Sequence, residues 1–327
     1  MNYLKEPLVS IIIVNYNGLK HLKECFDSLN NLTYRNFEII FVDNGSQDKS
    51  VEFVSKNYQK VKIVHLDKNY GFSGGNNVGA SRSKGKYLAL LNNDTRVDKN
   101  WLIELIKVAQ DSREIGIVAS KVYYYDNKEI LDYAGGVCDK YGNIKHIGSL
   151  QTDHNYLNTQ KETFYGSGAA LLIKRELYEK VGLFDPFYFA YYEDIDICWK
   201  AWISGYKVVY APKSFIYHKT CQVLKKQYKR IFFLNERNRL RTLLKNYKII
   251  TFLRILPGYL KRRLVQLLNL IYHFDKYTIT FINNYIKVIF WNIFHINSLI
   301  KNRKIISTYR KREDKDIIQL MEKISSI

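Results

Sequence analysis

From Val9 to Val14 the chain reads Val-Ser-Ile-Ile-Ile-Val, a nearly unbroken β-branched run of the kind found in parallel strands buried on both faces. It ends in Asn15-Tyr16-Asn17-Gly18, a turn, and His21, Leu22, Cys25, Phe26 and Leu29 then recur at helical spacing. The alternation repeats three times. Phe37–Val42 stops at Asp43-Asn44-Gly45-Ser46 and is followed by a helix over about 48–58. Val61–Leu66 leads into Asn69–Asn77 and another helix, and Tyr87–Leu91 stops at Asn92-Asn93-Asp94-Thr95. Strands alternating with helices predict βαβ units, so the fold class is α/β, a mainly parallel sheet with helices on its faces.

Beyond about Gly116 the rhythm shortens. Ile117–Ala119, Val122–Tyr125 and the stretch Gly135–Gly148 read as short strands and loops. Gly166-Ser167-Gly168 is a small-residue turn entering a buried strand that ends near Ile173. Val208–Pro212 and Phe215–His218 close the globular part. Between them lies Phe187-Tyr188-Phe189-Ala190-Tyr191-Tyr192-Glu193-Asp194-Ile195-Asp196, an aromatic run followed by three carboxylates and the helical pattern of Ile195, Cys198, Trp199 and Trp202. Asp185-Pro186 reads as a turn before it and Gly205 as a helix stop after it. Glu193 and Asp194 therefore fall at a helix N-terminus, where the dipole and exposed N–H groups are expected to hold a carboxylate ionised. Asp196 reads as capping or structural, and the two tryptophans as core.

Charge divides the chain. Residues 1–218 carry 27 Lys+Arg against 25 Asp+Glu, whereas residues 219–327 carry 24 against 6, so nearly all of the net +20 lies in the tail. The expected domains are 1–218, with halves at about 1–115 and 116–218, and a basic helical region at 219–327. In that region Lys225-Lys226, Lys229-Arg230, Lys261-Arg262-Arg263 and Arg310-Lys311-Arg312 alternate with aliphatic and aromatic residues. Its most apolar part, Lys276–Ile300, is interrupted by Lys287, His295 and asparagines. Helices lying on an anionic membrane surface suit it better than spanning ones. Cys25, Cys138, Cys198 and Cys221 form no CxxC pair and read as free thiols. The short charged start reads as no signal peptide, and a cytoplasmic protein, peripheral on the inner face of the cell membrane, is expected.

Each of the four strands ends in turn-forming or acidic residues, Asn15/Asn17, Asp43, Asn69 and Asp94. In an open α/β sheet the ligand lies outside those carboxyl ends. Any one of them is explained by turn formation, and as a set they favour a nucleotide-type pocket. Residues 71–79 lack the GxGxxG register of dinucleotide enzymes, but their glycines would let backbone amides approach a diphosphate. Asn92-Asn93-Asp94 is the candidate metal corner, one carboxylate on a tight turn beside phosphate oxygens.

In order and spacing, Val9–Gly18, Val42–Ser46, Asn69–Asn77, Leu91–Thr95 and Tyr192–Asp196 resemble inverting family-two glycosyltransferases of the GT-A fold. The similarity spans roughly 7–245 and is nearest to the rhamnosyltransferase-like and galactofuranosyltransferase-like branch. It implies that Asp43 bonds the nucleobase, with Tyr16 beside the base and Asn15 and Asn17 shaping the pocket. Asn69, Gly71 and Asn77 would lie along ribose and diphosphate, with Asn92 and Asn93 near them. Asp94 would be the carboxylate of a DxD-like motif holding Mg2+ or Mn2+. The first position of that motif is Asn92 rather than Asp, one charge fewer. His218 would be a second metal ligand, Asp194 the base that deprotonates the acceptor, and Glu193 its orienter.

The implied reaction moves a rhamnose-like or other hexose from a dTDP-, UDP- or GDP-linked donor to a lipid-linked or polysaccharide acceptor in cell-surface glycan synthesis, including cell-wall polysaccharide. The implied partners are donor, acceptor and membrane surface, and a homodimer is admitted. Two rivals of other classes stand beside it. A nucleotide-sugar or glycan-binding protein without turnover would tolerate loss of Asp194. A basic nucleic-acid-associated protein would show salt-sensitive binding to nucleic acid, for which no motif is present.

Overall fold

The computed structural model describes residues 6–219, 224–272 and 278–326. The chain divides into two compact units, Met1–Val137 with Lys145–Thr220, and Cys138–Ile144 with Cys221–Ile327. Up to His218 the elements run β1 (Val9–Asn15), α1 (Leu19–Asn30), β2 (Phe37–Asp43), α2 (Ser50–Asn57), β3 (Lys62–His65), α3 (Gly71–Ser81), β4 (Tyr87–Asn92), β5 (Thr95–Val97) and α4 (Trp101–Asp111). There follow β6 (Ile115–Tyr124), β7 (Leu131–Tyr133), β8 (Gly136–Cys138), β9 (Ile144–His146), β10 (Lys161–Glu162), β11 (Ala170–Lys174), α5 (Arg175–Val181), α6 (Glu193–Ile203) and β12 (Lys207–His218).

Ten strands form one mixed sheet, in the order β10-β12-β6-β11-β4-β1-β2-β3, with β5 on β12 and β7 on β6. β1 pairs in parallel with both β2 and β4, so Asn15 lies opposite Asp43, and Val14 opposite Asn92. β11 runs antiparallel between β4 and β6, setting Ala170 against Leu91. The continuous apolar runs are buried as their sequence demands: Val9, Ile11, Ile12 and Ile13 have no exposed surface. Two expected pairs of short strands are single longer ones. Ile115–Tyr124 is one ten-residue strand. Lys207–His218 is one strand whose register with β6 shifts between Ala211 and Phe215, a bulge that accommodates Pro212, which has no N–H to donate.

The glycines of α3 serve packing. A Cβ on Gly75 would lie 2.5 Å from Val14 Cγ1, and one on Gly79 would lie 2.4 Å from Ile12 Cγ2. These positions bring the helix backbone against β1, a role different from the diphosphate approach expected of the segment. Trp199 and Trp202 are buried as anticipated, and the Trp202 indole N–H donates to the Phe164 carbonyl at 2.9 Å. Cys25, Cys138 and Cys198 are buried free thiols, whereas Cys221 lies outside the described residues.

The second unit is helical: α7 (Leu224–Asn246), α8 (Ile249–Tyr272), α9 (Thr278–Phe294), α10 (Ile296–Tyr309) and α11 (Asp314–Ser325). Leu243, Tyr247, Val288, Leu299, Ile317 and Met321 are among its buried side chains. Its positive charge is only partly outward: Lys229, Arg230, Lys261, Arg262 and Lys311 are exposed. Arg237, Arg239, Arg241 and Lys245 of α7 are buried, with Arg237 stacked on Trp291 at 4.3 Å and Arg239 paired to Glu236. Among the described residues no helix is long and apolar enough to cross a membrane. Lys276, the start of the apolar stretch read from sequence, lies outside those residues, as do the side chains of Lys225 and Lys226.

Candidate functional site at the carboxyl ends of the strands

The turns after β1, β2 and β4 are laced together by amide side chains. The Asn93 amide N–H donates to Asn15 Oδ1 at 2.6 Å, and Asn15 Nδ2 donates to Ser46 Oγ at 3.2 Å. Gly18 lies beneath this pair, because a Cβ there would stand 2.2 Å from Asn93 Nδ2. The main-chain N–H of Asn17 reaches the same Ser46 hydroxyl at 3.0 Å, and Asn17 Oδ1 accepts from Gln47 N–H at 2.7 Å. Asp43 is buried at the end of β2. One of its oxygens accepts from Ser46 N–H at 3.3 Å and the other lies 3.8 Å from His65 Nδ1. Tyr16 is half exposed at the rim. Asn15, Tyr16, Asn17, Asp43 and Asn93 therefore share one end of the sheet.

Asn69 caps the start of α3: its Oδ1 accepts from Gly71 N–H at 2.8 Å and from Asn44 Nδ2 at 3.1 Å. Gly71 has φ +75°, and a Cβ on it would lie 2.3 Å from the Phe189 carbonyl oxygen, which in turn accepts from Ser73 N–H at 3.1 Å. The aromatic loop before Glu193 is thus seated on the N-terminus of α3. Asn77 is spent elsewhere, exchanging hydrogen bonds of 2.9 and 3.0 Å with the main chain of Phe184. That brace uses the amide expected along the diphosphate.

Phe189, Tyr191 and Tyr192 all have φ between +64° and +72°, which costs a side-chain-bearing residue roughly 1–3 kcal/mol. Tyr192 is left-handed helical, whereas Phe189, with ψ −63°, centres a γ-turn closed by Ala190 N–H on the Tyr188 carbonyl at 2.7 Å. These turns deliver Glu193 and Asp194 to the first positions of α6. Asp194 Oδ2 accepts from Gly168 N–H at 3.0 Å, and Oδ1 from Ile195 N–H at 2.9 Å. Gly168 lies close under both: a Cβ on it would be tight against the Phe72 ring at 3.3 Å and in ordinary contact with the Asp194 Cβ at 3.5 Å.

The neighbouring Ala169 carbonyl accepts from Asn92 N–H at 3.0 Å. Two consecutive residues therefore fasten Asp194 and the end of β4 to one place. Burial raises the pKa of Asp194 against the pull of those two amides. Glu193 is buried, its Oε2 has no hydrogen-bond partner, and burial together with the Asp194 charge pushes its pKa well above the ordinary carboxylate value. The expectation that the helix start favours the ionised form is corrected in direction for both carboxylates, whose pKa values are raised rather than lowered because desolvation outweighs the dipole. Asp196 is buried beside Lys200 at 3.8 Å, in keeping with a structural part.

At the same sheet end, His218 closes β12. Its Nε2 lies 3.2 Å from Asp94 Oδ1 and 3.2 Å from Asn92 Nδ2, and its Nδ1 lies 3.8 Å from Asp132 Oδ2. Burial lowers the His218 pKa, but the carboxylates of Asp132 and Asp94 overcome it and carry it to about 9. Burial likewise acts to raise Asp94, and His218 holds it below its ordinary value. Asp132 in turn touches His146, 3.7 Å from carboxylate to Nδ1. Asp132 and His146 had no signature in the sequence. The sole hint is a carboxylate between Leu131 and Tyr133, both wholly buried.

Whether a divalent cation fits can be judged from these donors. Asp94 and His218 are of the right kind and within reach of one ion. Among the described residues no group of three or more His, Cys, Asp or Glu side chains is placed to hold one. A cation here would complete its shell with oxygens from a ligand, which is how Mg2+ and Mn2+ commonly meet phosphates. The donor set fits on that condition.

Residues 10–182 match the model of the family described as Glycosyl transferase family 2. The chain belongs to that family. Glu193, Asp194 and His218 lie beyond the matched segment. The glycosyltransferase GlyG of Streptococcus pneumoniae is 32% identical over 126 residues, 37% of this chain and 41% of GlyG. The chain spans less than two thirds of the length of the first curated relatives it matches.

Among solved structures, GalNAc-T7 with UDP, GalNAc and Mn2+ aligns with TM-score 0.59 at 21% identity, covering 74% of this chain and 48% of that one. The mannosyltransferase PcManGT of Pyrobaculum calidifontis, in complex with GDP-Man and Mn2+, aligns with TM-score 0.56 at 14% identity, covering 94% and 87%. The fold is the GT-A type expected, a mixed sheet flanked by helices with a helical C-terminal region.

Proposed function

We propose that the family-two domain transfers a hexose, with inversion, from a nucleoside-diphosphate sugar to a hydroxyl of a lipid-linked or polysaccharide acceptor in cell-surface glycan synthesis. The observation that carries the reading is the Gly168-Ala169 dipeptide, which binds Asp194 on one side and Asn92, at the end of β4, on the other. A general base and the strand end that leads to Asp94 are thereby brought to one locus.

In this reading the asparagine-laced turns and Asp43 receive the nucleoside, with Tyr16 at the rim. Asn69 and Gly71 shape the path to the phosphates; Asn77, occupied by Phe184, takes no part. Asp94 and His218 would hold Mg2+ or Mn2+, which when bound offsets negative charge on the departing diphosphate. His218 has to give up the proton that its two carboxylates favour before its Nε2 can ligate. Asp194 takes the acceptor proton, and its burial makes it a stronger base than an exposed aspartate. Glu193, whose burial favours the protonated form, can in that form donate a hydrogen bond to an acceptor oxygen while its neighbour carries the charge. Attack opposite the leaving group inverts the anomeric carbon, and no covalent enzyme intermediate is required.

The rhamnosyltransferase-like branch is retained as the reading of donor class. The division of labour is a catalytic 1–218 and a basic 219–327 that works at an anionic membrane surface on the cytoplasmic side. The test is a thermal-shift screen of dTDP-, UDP- and GDP-sugars with and without Mn2+, followed by nucleoside-diphosphate release assays on the donors that shift. Expected is a metal-dependent shift and release with one donor class. No shift with any donor, or release unchanged in Asp194→Asn, overturns the proposal.

A further inference from the structure

Helix α9 is amphipathic in the wrong sense for a helix that faces water. Its inward face contains Asn284, Val288 and Asn292, all buried, while Ile282, Ile286, Ile289 and Ile293 form an exposed stripe at intervals of four, three and four. Phe290 and Phe294 widen that stripe, the latter 81% exposed. Helix α8 carries two apolar faces. Phe252, Ile255 and Tyr259 are buried, and Leu253, Leu260, Leu264, Leu268 and Ile271 form a second stripe open to solvent. Ordinary surfaces scatter single apolar side chains, whereas continuous stripes mark a surface that is covered in use.

We infer that the outer stripes of α8 and α9 lie in the headgroup–acyl boundary of an anionic bilayer, the helices parallel to its plane. The inference rests on the reading that the second unit works at an anionic membrane surface and narrows it to two helix faces. Charge chooses this occupant over a second copy of the chain. Neither helix has an acidic residue, and Arg254, Lys261 and Lys287 are exposed near the stripes. Apposing two such faces would bring like charges together, while anionic lipid supplies the opposite sign along the whole length. Neither helix qualifies as a membrane-crossing segment, which leaves the in-plane placement.

The experiment uses the full chain with vesicles of phosphatidylcholine alone or mixed with phosphatidylglycerol. A triple variant, Leu264→Ser, Leu268→Ser and Ile289→Ser, removes apolar surface at constant charge. Circular dichroism and donor-sugar thermal shift verify that it folds. Expected is cosedimentation of the parent with the anionic vesicles only, and a loss of affinity of about ten-fold or more in the triple variant. Undiminished binding by the folded variant overturns the assignment of the two faces and leaves the membrane reading intact. No binding by the parent overturns both. A parent that is dimeric by light scattering, and made monomeric by the same substitutions, gives the stripes to a second copy and overturns the inference. Donor hydrolysis without vesicles reports separately on the transferase reading.

Discussion

The Gly168 main-chain N–H donates to Asp194 Oδ2 at 3.0 Å, and a Cβ at 168 would be tight against the Phe72 ring at 3.3 Å and in contact with the Asp194 Cβ at 3.5 Å. The bond sets the direction of one carboxylate oxygen; the helix's own Ile195 N–H sets the other. A carboxylate so fixed is poised for a single task. Replacing Asp194 with Asn keeps the shape and one of the two acceptor oxygens, leaves the other N–H facing an amide NH2, and removes the basic site. Transfer should fall by about a hundred- to ten-thousand-fold, the usual worth of general-base catalysis, with donor affinity nearly unchanged. Single-turnover rates and donor binding measured on the same preparation check this. Since burial raises the pKa of Asp194, the acid limb of the rate profile should lie above the ordinary aspartate value of about 3.9, activity falling as pH drops through it.

Glu193 gives a stability signature with a definite sign. Its folded-state pKa is raised by burial and by Asp194, so the fold favours the protonated form. The stabilisation is complete below the unfolded value of about 4.3 and is lost as pH rises through the folded one, by up to about 1.4 kcal/mol per pH unit for one proton. Glu193→Gln keeps a neutral amide in place. Its melting temperature should therefore rise relative to the parent between pH 5 and 8, the gap widening with pH. A gap that narrows with pH contradicts the neutral assignment.

How much of this was legible before the structure depends on the kind of signal. β1, β2 and β4 were, because buried parallel strands need nearly unbroken apolar runs with turns at their ends, and the half-exposed edge strand β3 was marked by Ile63-Val64 and the turn after it. β12 looked like two strands, since Pro212 is a breaker in sequence and only a bulge explains how the strand continues through it. The site residues at the strand ends share a neighbourhood because they share a topology. Asp132 and His146 escaped notice because Asp132 meets His218 across 86 residues of sequence, His146 joins only through Asp132, and nothing periodic announces them. The charge state of Glu193 was misread for a related reason. A helix start is visible in sequence, whereas the depth of burial that overrides it is set by distant packing. The glycines of α3 were seen but their purpose was not, because close approach to β1 is a tertiary fact.

Those glycines make the third prediction. Gly75→Ala gains helix propensity of about 1 kcal/mol, but its methyl would meet Val14 Cγ1 at 2.5 Å, and overpacking of this kind costs about 1–3 kcal/mol. Val14 is β-branched and held in a strand, so its χ1 is restricted and it yields at a cost. The net effect should be destabilising, read as a lower urea midpoint. The same substitution should also weaken donor binding, because the start of α3 carries Gly71 and the seat of Phe189.

Asp94 supplies the last test. The carboxylate lies 3.2 Å from His218, and that pair holds Asp94 below its ordinary pKa while carrying His218 to about 9. Asp94→Asn removes a negative charge from beside the imidazole, so His218 should titrate lower, visible in its ring proton shifts by NMR without any ligand. If Asp94 is also the cation carboxylate, its loss should weaken Mn2+ affinity in the presence of donor by at least the roughly ten- to hundred-fold that losing an outer-sphere partner costs. The two readouts separate the roles. A lowered His218 pKa with unchanged Mn2+ affinity would leave Asp94 a structural partner of the histidine and move the cation elsewhere at the strand ends. Loss of both would make the Asp94–His218 ion pair the resting form of a site whose two side chains would hold the cation.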